Sequence, residues 1–312
     1  MNKENAFSGL ARQLVEGFSE ARPIHANTLL LTLYGDTVCP FGGTIWLGSL
    51  IKLVEPLGIN QRLVRTSVYR LAEQGVLQSE QIGRRSYYTL TERGVRQFAN
   101  ATKRIYAEKL PEWSGGWQIV MTSLGSLNAE QREAVRKELI WLGFTRMTTG
   151  IYVHPTADAD TVNNMLVERG CSEQVVVLKA NTYDPAQNEM GNQLITRCFD
   201  THLMDEAYQE FIDTFEPILG AARKANQLNL ELCFLVRTLL IHKYRQILLH
   251  EPELPSELLP ADALSRKARA ITRELYLSLG TQSDGHFLRT AESGNGAFKQ
   301  PVDGYYQRFG GM

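Results

Sequence analysis

The sequence predicts an α+β protein of several domains: a winged helix-turn-helix at the N-terminus, a central ferredoxin-like α+β domain and a mostly α-helical C-terminal region. Three observations lead to this prediction. A chain of 312 residues exceeds the usual span of one hydrophobic core. Two helical patterns and a basic hairpin follow one another in the first hundred residues, and strands alternate with helices further along. We expect domains at residues 1–110, 113–184 and 190–312.

The composition is that of an ordinary globular protein, with 43% hydrophobic and 21% charged residues. No apolar run approaches the roughly eighteen residues of a membrane span. The apolar stretch Thr28–Tyr34 lacks the preceding basic segment of a signal peptide, so we expect a cytoplasmic protein. The cysteines are too scattered to predict a disulfide framework or a metal site: Cys39, Cys171, Cys198 and Cys233.

The net charge of −1 conceals an uneven distribution. Residues 1–110 hold fourteen Lys and Arg against nine Asp and Glu, whereas the rest of the chain holds nineteen against twenty-five. Within residues 60–104, nine basic residues stand against three acidic ones. A basic segment in an otherwise acidic chain indicates a polyanion partner. A solvated charged surface is the alternative, and the commoner one.

Two helices are expected before residue 58. The first is predicted at Ile24–Tyr34, with Asn27 or Thr28 as its N-cap. The glycines and the proline of Gly35–Gly43 predict a loop. The following segment, Thr44–Leu57, is apolar along one side and predicts a second helix whose N-cap is its first threonine.

A third helix is predicted at Gln61–Gln74, after a short turn that completes a helix-turn-helix. Gly58 stands where a left-handed residue would end the preceding helix, Asn60 offers an N-cap oxygen, and Gly75 ends the third helix. Five apolar residues at helical spacing should pack on the second helix: Leu63, Val64, Val68, Leu71 and Ala72.

The other side of this third helix carries three arginines and a tyrosine, which a surface helix does not need. Arginine contacts guanine edges and phosphates when a recognition helix enters the major groove of DNA. We therefore predict a recognition helix, with a merely solvated face as the alternative. The candidate DNA contacts are Asn60, Arg62, Arg65, Thr66, Ser67, Tyr69 and Arg70.

A two-stranded hairpin with a basic tip is predicted immediately after the helix-turn-helix, where a winged helix has its wing. Its strands are Val76–Ile82 and Ser86–Leu90. At the tip, Arg84 and Arg85 should reach phosphate groups or an adjacent minor groove. A long polar helix, Val95–Lys109, follows the hairpin.

The central segment predicts the order β-α-β-β-α-β, or β-α-β-α-β if its middle strands merge, which suggests a ferredoxin-like sheet. We expect Trp117 and Trp141 in its core, together with the apolar run Val175–Leu178. The predicted strands are Gly116–Leu124, Phe144–His154 (one or two) and Ser172–Ala180, and the predicted helices are Asn128–Trp141 and Thr156–Gly170.

The remainder is expected to be helical from Met190 onward. The Gly/Ser/Gln-rich stretch Thr281–Pro301 predicts loose order. The terminal Tyr305–Gly311 is too aromatic for a free tail, so we expect it to dock on the protein. The predicted helices are Cys198–Leu219, Asn229–His250 and Ala261–Leu279, and the last of them follows a proline-punctuated connector, Pro252–Pro260.

The chain resembles the PaaX family, repressors of phenylacetate-degradation operons, over nearly its whole length and through several motifs at matching separations. The motifs are Gly43–Leu50 (GTIWLGSL), Val64–Leu71 (VRTSVYRL), Ile82–Leu90 (IGRRSYYTL), Leu139–Phe144 (LIWLGF), His242–Arg245 (HKYR), Leu254–Pro260 (LPSELLP) and Tyr306–Gly311 (YQRFGG). The resemblance implies a dimeric repressor of aromatic catabolism genes that binds a double-stranded operator and releases it when phenylacetyl-coenzyme A accumulates. It offers no inducer-site motif of comparable quality.

An acyl-coenzyme A pocket should combine basic and aromatic residues, because the ligand carries phosphates and an apolar end. The C-terminal half offers such a mixture, although a salt-bridged dimer helix explains the same residues at least as well. The candidate effector contacts are Arg237, His242, Lys243, Tyr244 and Arg245.

Other functions are less well supported by the residues. The central domain resembles Cas2-like folds, some of which are metal-dependent nucleases, but Gly116–Gly125 contains no carboxylate to hold the ions. Binding of RNA or single strands would need exposed aromatics among basic residues, and that strand offers only Trp117. No phosphate loop, nucleophile elbow or Cys-His signature predicts an enzyme, and no cofactor or metal is expected.

Overall fold

The computed structural model describes residues 5–107, 113, 115–181, 204–249, 254–259, 263–294, 296, 298, 301–302 and 304–311. Contacts group the chain into two compact units. The first unit comprises Met1–Glu108, Ala207–Leu249 and Leu264–Met312, and the second comprises Lys109–Glu206 and His250–Ala263. The N-terminal and C-terminal thirds of the chain, which the sequence suggested as separate domains, therefore cluster together.

The first unit begins with helix α1 (Ala6–Glu20), which the sequence pattern did not reveal. Helix α2 (Ala26–Leu33) lies within the predicted Ile24–Tyr34, and its N-cap is His25. The predicted N-caps, Asn27 and Thr28, therefore lie inside the helix. The His25 carbonyl accepts hydrogen bonds from the backbone N–H groups of Thr28 and Leu29, and the Thr28 hydroxyl donates to the same carbonyl. The first hydrogen bonds of the helix therefore begin at His25.

The segment predicted as a loop at Gly35–Gly43 is largely helical. It forms a π-helical turn, Tyr34–Val38, and a 3₁₀ turn, Cys39–Phe41. The prediction was wrong because the turn holds a buried carboxylate, Asp36, whose tertiary hydrogen bonds override the loop preference of the neighbouring glycines and proline.

A three-stranded antiparallel sheet includes one strand that was predicted as helix. Strand β1 (Thr44–Trp46) pairs with β3 (Arg85–Leu90), and β3 pairs with β2 (Leu77–Ile82). The hydroxyl of Thr44 lies 2.8 Å from that of Thr89 across the strands, so it does not cap a helix. Helix α3 starts only at Leu47 and runs to Val54.

Helix α4 (Gln61–Glu73) confirms the predicted third helix. Helix α5 (Glu92–Tyr106) starts three residues before the predicted Val95. Its start is fixed by Thr91, whose hydroxyl oxygen accepts from the backbone N–H of Gly94 at 3.1 Å.

The C-terminal part contributes α8 (Asp205–Lys224), α9 (Leu230–Leu248) and α10 (Leu264–Thr290). Helix α10 continues eleven residues past its predicted end at Leu279, so the first ten residues of the stretch predicted as loose, Thr281–Pro301, are helical. Burial of Phe287 in the core explains this extension. The predicted starts at Met190, Cys198 and Ala261, and both ends of the connector Pro252–Pro260, lie outside the described residues.

One hydrophobic core joins both ends of the chain in the first unit. Leu29 and Leu33 of α2 pack in the same cluster as Leu235 and Leu239 of α9 and Phe287 of α10. Helix α9 is apolar around most of its circumference, and such a helix is stable only when other elements cover it on several sides. Helix α10 and the N-terminal helices α1 and α2 provide that cover.

The second unit contains strands β4 (Gly116–Met121), β5 (Thr145–Thr148), β6 (Ile151–His154) and β7 (Val176–Asn181). They form an antiparallel sheet in the order β5-β6-β4-β7, which confirms the β-α-β-β-α-β order with two separate middle strands. Trp117 is buried as expected, but Trp141 is 77% exposed. Val176 and Leu178 are also exposed, because β7 is an edge strand that pairs with a neighbour, β4, on one side only. The helices of this unit are α6 (Ala129–Trp141), between β4 and β5, and α7 (Ala159–Glu168), between β6 and β7.

A buried ionic cluster at Asp36 links separate segments of the first unit. One carboxylate oxygen accepts from the hydroxyls of Tyr106 (2.6 Å) and Tyr276 (3.0 Å) and from Arg308 (3.1 Å), and the other accepts from Arg237 (3.0 Å). The guanidinium of Arg308 also lies over the Tyr106 ring, 4.0 Å from its centroid. The terminal motif therefore docks on the protein, as the sequence predicted.

The charges of this cluster balance one another. Burial by itself would raise the pKa of Asp36, but the guanidinium groups of Arg237 and Arg308 outweigh that effect and hold the pKa below its usual range. Arg237 makes a second ion pair with Asp284 at 2.8 Å. Both cations are thus desolvated but paired, which is the condition for tolerating a charge inside a protein.

Replacement of Asp36 by asparagine should destabilise the first unit by about 3–5 kcal/mol, because it leaves two buried guanidinium groups short of negative charge. Urea denaturation at pH 7 measures the loss. Because the folded-state pKa of Asp36 is depressed, its stabilising contribution is present above the unfolded-state value of about 4 and disappears as the pH falls through the folded-state value. The wild type should therefore lose more stability than Asp36→Asn below pH 4, and equal pH dependence of the two proteins would contradict the role of this carboxylate.

Candidate nucleic-acid interface

The turn between α3 and α4 fixes the direction of α4. A 3₁₀ turn at Glu55–Leu57 ends at Gly58, whose φ of 74° lies in the left-handed region that favours glycine. The side-chain oxygen of Asn60 then accepts from the backbone N–H of Leu63 at 2.9 Å and caps α4. Asn60 was a candidate DNA contact, and its amide oxygen is already used by this cap.

One face of α4 carries a cluster of exposed basic, hydroxyl and aromatic side chains. Tyr69 is 62% exposed, and a hydrogen bond to Glu73 raises the pKa of its hydroxyl. The opposite face packs into the core through Val64, Val68 and Leu71. We name the exposed cluster the α4 face; its members are Arg62, Arg65, Thr66, Tyr69 and Arg70.

Ser67 does not belong to the α4 face. It was a candidate DNA contact, but its side chain is only 2% exposed. Ser67 lies three residues after the buried Val64 and next to the buried Val68, so helical periodicity turns it toward the core. Including it among the contacts was wrong.

The hairpin β2–β3 presents its two tip arginines differently. Gly83 adopts a φ of 63°, which allows the tight turn, and Arg84 beside it is exposed. The guanidinium of Arg85 instead lies over the Trp46 ring, 4.4 Å from its centroid, and forms an ion pair with Glu292. Only Arg84 therefore extends from the tip with no described carboxylate partner.

The residues around Arg85 form a compact arrangement that we name the hairpin clamp: Trp46, Arg85 and Glu292. The backbone N–H of Trp46 donates to the Glu292 carbonyl at 2.9 Å, and the Glu292 N–H donates to Ser49 Oγ at 3.0 Å. Gly48 leaves space for the indole ring, since a Cβ there would lie 2.4 Å from a ring carbon. Sequence reasoning missed Glu292 because it lies 207 residues from its partner.

The candidate effector residues of α9 do not form one site. Arg237 is fully buried and engaged by Asp36 and Asp284, so it cannot contact an effector. Burial, and then the charge of Arg245, lowers the pKa of His242 to about 4, so this buried ring is neutral at pH 7. Tyr244 is also buried, while Lys243 is exposed and lies 3.4 Å from Glu210.

Among these five residues, Arg245 lines a cavity. The cavity measures about 150 Å³ and lies between α2, α5 and α9. Arg104 of α5 also lines it, and the remaining lining is apolar. Sequence spacing pointed to Arg245 but not to Arg104, because the two residues come together only when α5 packs beside α9.

Three family models match consecutive parts of the chain. Residues 25–94 match the PaaX-like protein model, residues 110–191 the central Cas2-like domain of PaaX protein, and residues 199–289 the C-terminal domain of PaaX-like protein. The transcriptional repressor PaaX of Escherichia coli (strain K12) is 32% identical over 293 residues, which cover 94% of this chain and 92% of that protein. The chain belongs to the PaaX family. The predicted resemblance to PaaX proteins is thereby confirmed.

A solved structure has a related fold. The uncharacterized protein Rv0674 from Mycobacterium tuberculosis superposes with a TM-score of 0.51 at 21% identity, covering 86% of this PaaX family chain and 98% of that one. Within the described ranges, no helix is long and apolar enough to cross a membrane. The same residues contain no group of three or more His, Cys, Asp or Glu that could hold a metal ion.

Residues of the α4 face should contribute little to stability, because their side chains are exposed. Replacing Arg62, Arg65 or Arg70 by alanine should change the free energy of unfolding by no more than about 0.5 kcal/mol. Ser67→Arg, on the buried side of the same helix, should destabilise the protein by at least about 2 kcal/mol. Urea denaturation of the four variants tests this division, and a Ser67→Arg variant as stable as wild type would refute it.

Proposed function

We propose that this PaaX family member is a cytoplasmic transcriptional repressor of phenylacetate catabolism genes and not an enzyme. The observation that carries the proposal is the α4 face, with three exposed arginines on a helix beside a basic hairpin. Membership of the family and similarity to a protein named as a transcriptional repressor support it. The buried Trp117 and the missing acidic ligands in Gly116–Gly125 lend no support to single-strand binding or to nuclease activity by the second unit.

The proposed DNA-binding module is a winged helix-turn-helix. In this proposal α3 and α4 form the helix-turn-helix, α4 is the recognition helix, and β2–β3 is the wing. The pairing of β1 with β3 supports it, because the pairing anchors the hairpin beside the helices. A recognition helix contacts base edges through its N-terminal half, which here contains Arg62, Arg65 and Thr66.

Contacts with the DNA backbone complete the interface in this proposal. Arg84 at the hairpin tip would contact phosphate or the adjacent minor groove, and Arg70 and Tyr69 lie one to two turns further along α4 for additional backbone contacts. Asn60 contributes by capping α4, with its amide nitrogen left to donate to a phosphate. Arg85 would join only after its ion pair with Glu292 opens.

The proposed control of repression rests on the resemblance to the family. We infer that the protein acts as a dimer on a two-fold symmetric operator, whose half-sites would be about 34–36 Å apart or a multiple of that spacing. Phenylacetyl-coenzyme A is the proposed effector that releases the operator. Footprinting of a promoter of phenylacetate genes, with and without this thioester, tests the assignment of effector and operator together.

Substitution of Arg65 by alanine should weaken binding to operator duplex by about 1–3 kcal/mol if it contacts a base, and the loss should concentrate on particular base positions. Arg84→Ala should weaken binding to all duplexes alike and reduce the slope of log K against log salt by about one. Gel-shift titrations at two salt concentrations separate the two effects.

The matched control is Arg136→Ala, which also removes one arginine but lies in the second unit, paired with Glu133. It should leave operator affinity unchanged. Unchanged affinity of Arg62, Arg65 and Arg84 variants, or tighter binding of single-stranded than of duplex oligonucleotides, would reject the proposed interface.

The hairpin clamp gives a second prediction. Glu292→Gln should strengthen operator binding several-fold and increase the salt slope by about one, since it frees Arg85 for a phosphate. Glu80→Gln is the control: it removes the same charge from an exposed position on β2 of the same hairpin without releasing an arginine. Equal increases in operator affinity in the two variants would contradict the prediction, because they would arise from the change in net charge and not from the release of Arg85.

A further inference from the structure

The cavity at Arg245 has features that a packing defect does not explain. Leu31, Phe98, Ile105 and Leu248 form apolar walls, while Arg104 and Arg245 add two cationic side chains. Phe98 and Ile105 are themselves buried, so the walls belong to the folded core of the first unit. A mostly apolar cavity with a few charged side chains in its lining is typical of small-molecule binding sites.

Arg245 is a partly buried cation that has no acidic partner among the described residues. Its described hydrogen bonds are two long ones, at 3.4 Å, to the Thr28 carbonyl and the Thr32 hydroxyl, both neutral. Burial lowers the pKa of this guanidinium. Each buried cation of the Asp36 cluster, by contrast, has a carboxylate within 3.1 Å. An unbalanced guanidinium is costly unless an oxygen-bearing ligand joins it.

No neighbour in the described part of the chain supplies the missing negative charge. His242, one helical turn before Arg245, is neutral at pH 7. Lys243 is a cation paired with Glu210 on the exposed side of α9. Asp36 lines a smaller adjoining cavity, but its carboxylate oxygens already accept hydrogen bonds from Arg237, Arg308 and two tyrosines.

The volume restricts the ligand to a compact apolar group. A dry apolar cavity of about 150 Å³ accommodates one benzene ring, and this cavity measures about 150 Å³. A long fatty chain would not fit within the walls. The exposed Leu249 also lines the cavity, which places part of its wall at the surface, where the polar remainder of a ligand can stay in water.

We propose that this cavity binds the acyl group of a small aromatic acid, with the acyl oxygen on Arg245 and Arg104 beside it. The oxygen could be that of a free carboxylate or of a coenzyme A thioester, since both accept from a guanidinium. The regulatory role of this site rests on the proposed function. The inference adds to that function a location for the effector and the residues that contact it.

Close contacts connect the cavity to the proposed DNA interface. Phe98, Arg104 and Ile105 lie on α5, whose N-cap Thr91 donates its hydroxyl to the Gly75 carbonyl at 2.6 Å, just after the end of α4. At Gly94 of α5, a Cβ would lie 2.5 Å from the Val76 carbonyl, so the two segments are in close contact. A ligand that displaced α5 would therefore move the end of α4 and the start of the hairpin.

Isothermal titration calorimetry on the full chain tests the site with phenylacetate, phenylacetyl-coenzyme A, octanoyl-coenzyme A and coenzyme A alone. The two phenylacetyl probes distinguish the free acid from the thioester, and at least one should bind more tightly than the other two probes. Arg245→Ala should weaken that binding by at least about tenfold, as expected for a lost hydrogen bond to a charged group. Leu249→Trp should abolish it by filling the cavity from the surface.

Lys243→Ala is the matched control, because it removes a cation from the same helix outside the cavity, and it should bind the probe like wild type. Operator affinity without ligand should be unchanged in all three variants, which shows that they are folded. If Arg245→Ala and Leu249→Trp both bind the phenylacetyl probe as tightly as wild type, the proposed location of the site is wrong, although the probe remains a ligand of the protein. Failure of both phenylacetyl probes to bind the wild type would overturn the proposal, whereas operator binding would still support the repressor.

Discussion

The Asp36 carboxylate accepts hydrogen bonds from α5, α9, α10 and the C-terminal turn, and all of the donors are buried. The donors and the carboxylate stabilise one another, because a buried guanidinium, phenol or carboxylate without a hydrogen-bond partner would destabilise the fold. The position of Asp36 therefore ties together segments that lie as much as 272 residues apart in the sequence. The rest of the first unit is arranged around this constraint.

That constraint also reaches the proposed DNA interface. Helix α10 donates to Asp36 through Tyr276, is buried in the core at Phe287, and ends shortly before Glu292, which holds the hairpin clamp. Helix α5 donates through Tyr106, and its N-cap Thr91 donates to the Gly75 carbonyl just after the end of α4. The ionic cluster thus holds α10, which leads to the hairpin clamp, and α5, which begins beside the end of α4. The proposed effector cavity lies against α5.

Interactions between neighbours in the sequence allowed the region around α4 to be predicted. The Asn60 cap, the positive φ of Gly58 and the apolar stripe of α4 depend on neighbours in the sequence, and all three are present. Other predictions were wrong because contacts between distant residues decide the structure. Thr44 was expected to cap a helix but pairs with Thr89 across two strands, and Asp36 lies in a helical turn where a loop was expected. Arg237 was expected to contact the effector but binds carboxylates on other elements. Ser67 shows a different limit, since a small hydroxyl fits either face of a helix and only packing decides which.

Hydrogen–deuterium exchange of the full chain, with and without a duplex that contains the operator, tests the central claim most directly. If the α4 face and the hairpin bind DNA, the duplex should slow exchange in residues 60–74 and at the hairpin tip, residues 82–86, and phenylacetyl-coenzyme A should reverse that protection. Protection confined to the second unit, residues 116–181, with exchange in α4 unchanged, would contradict the account.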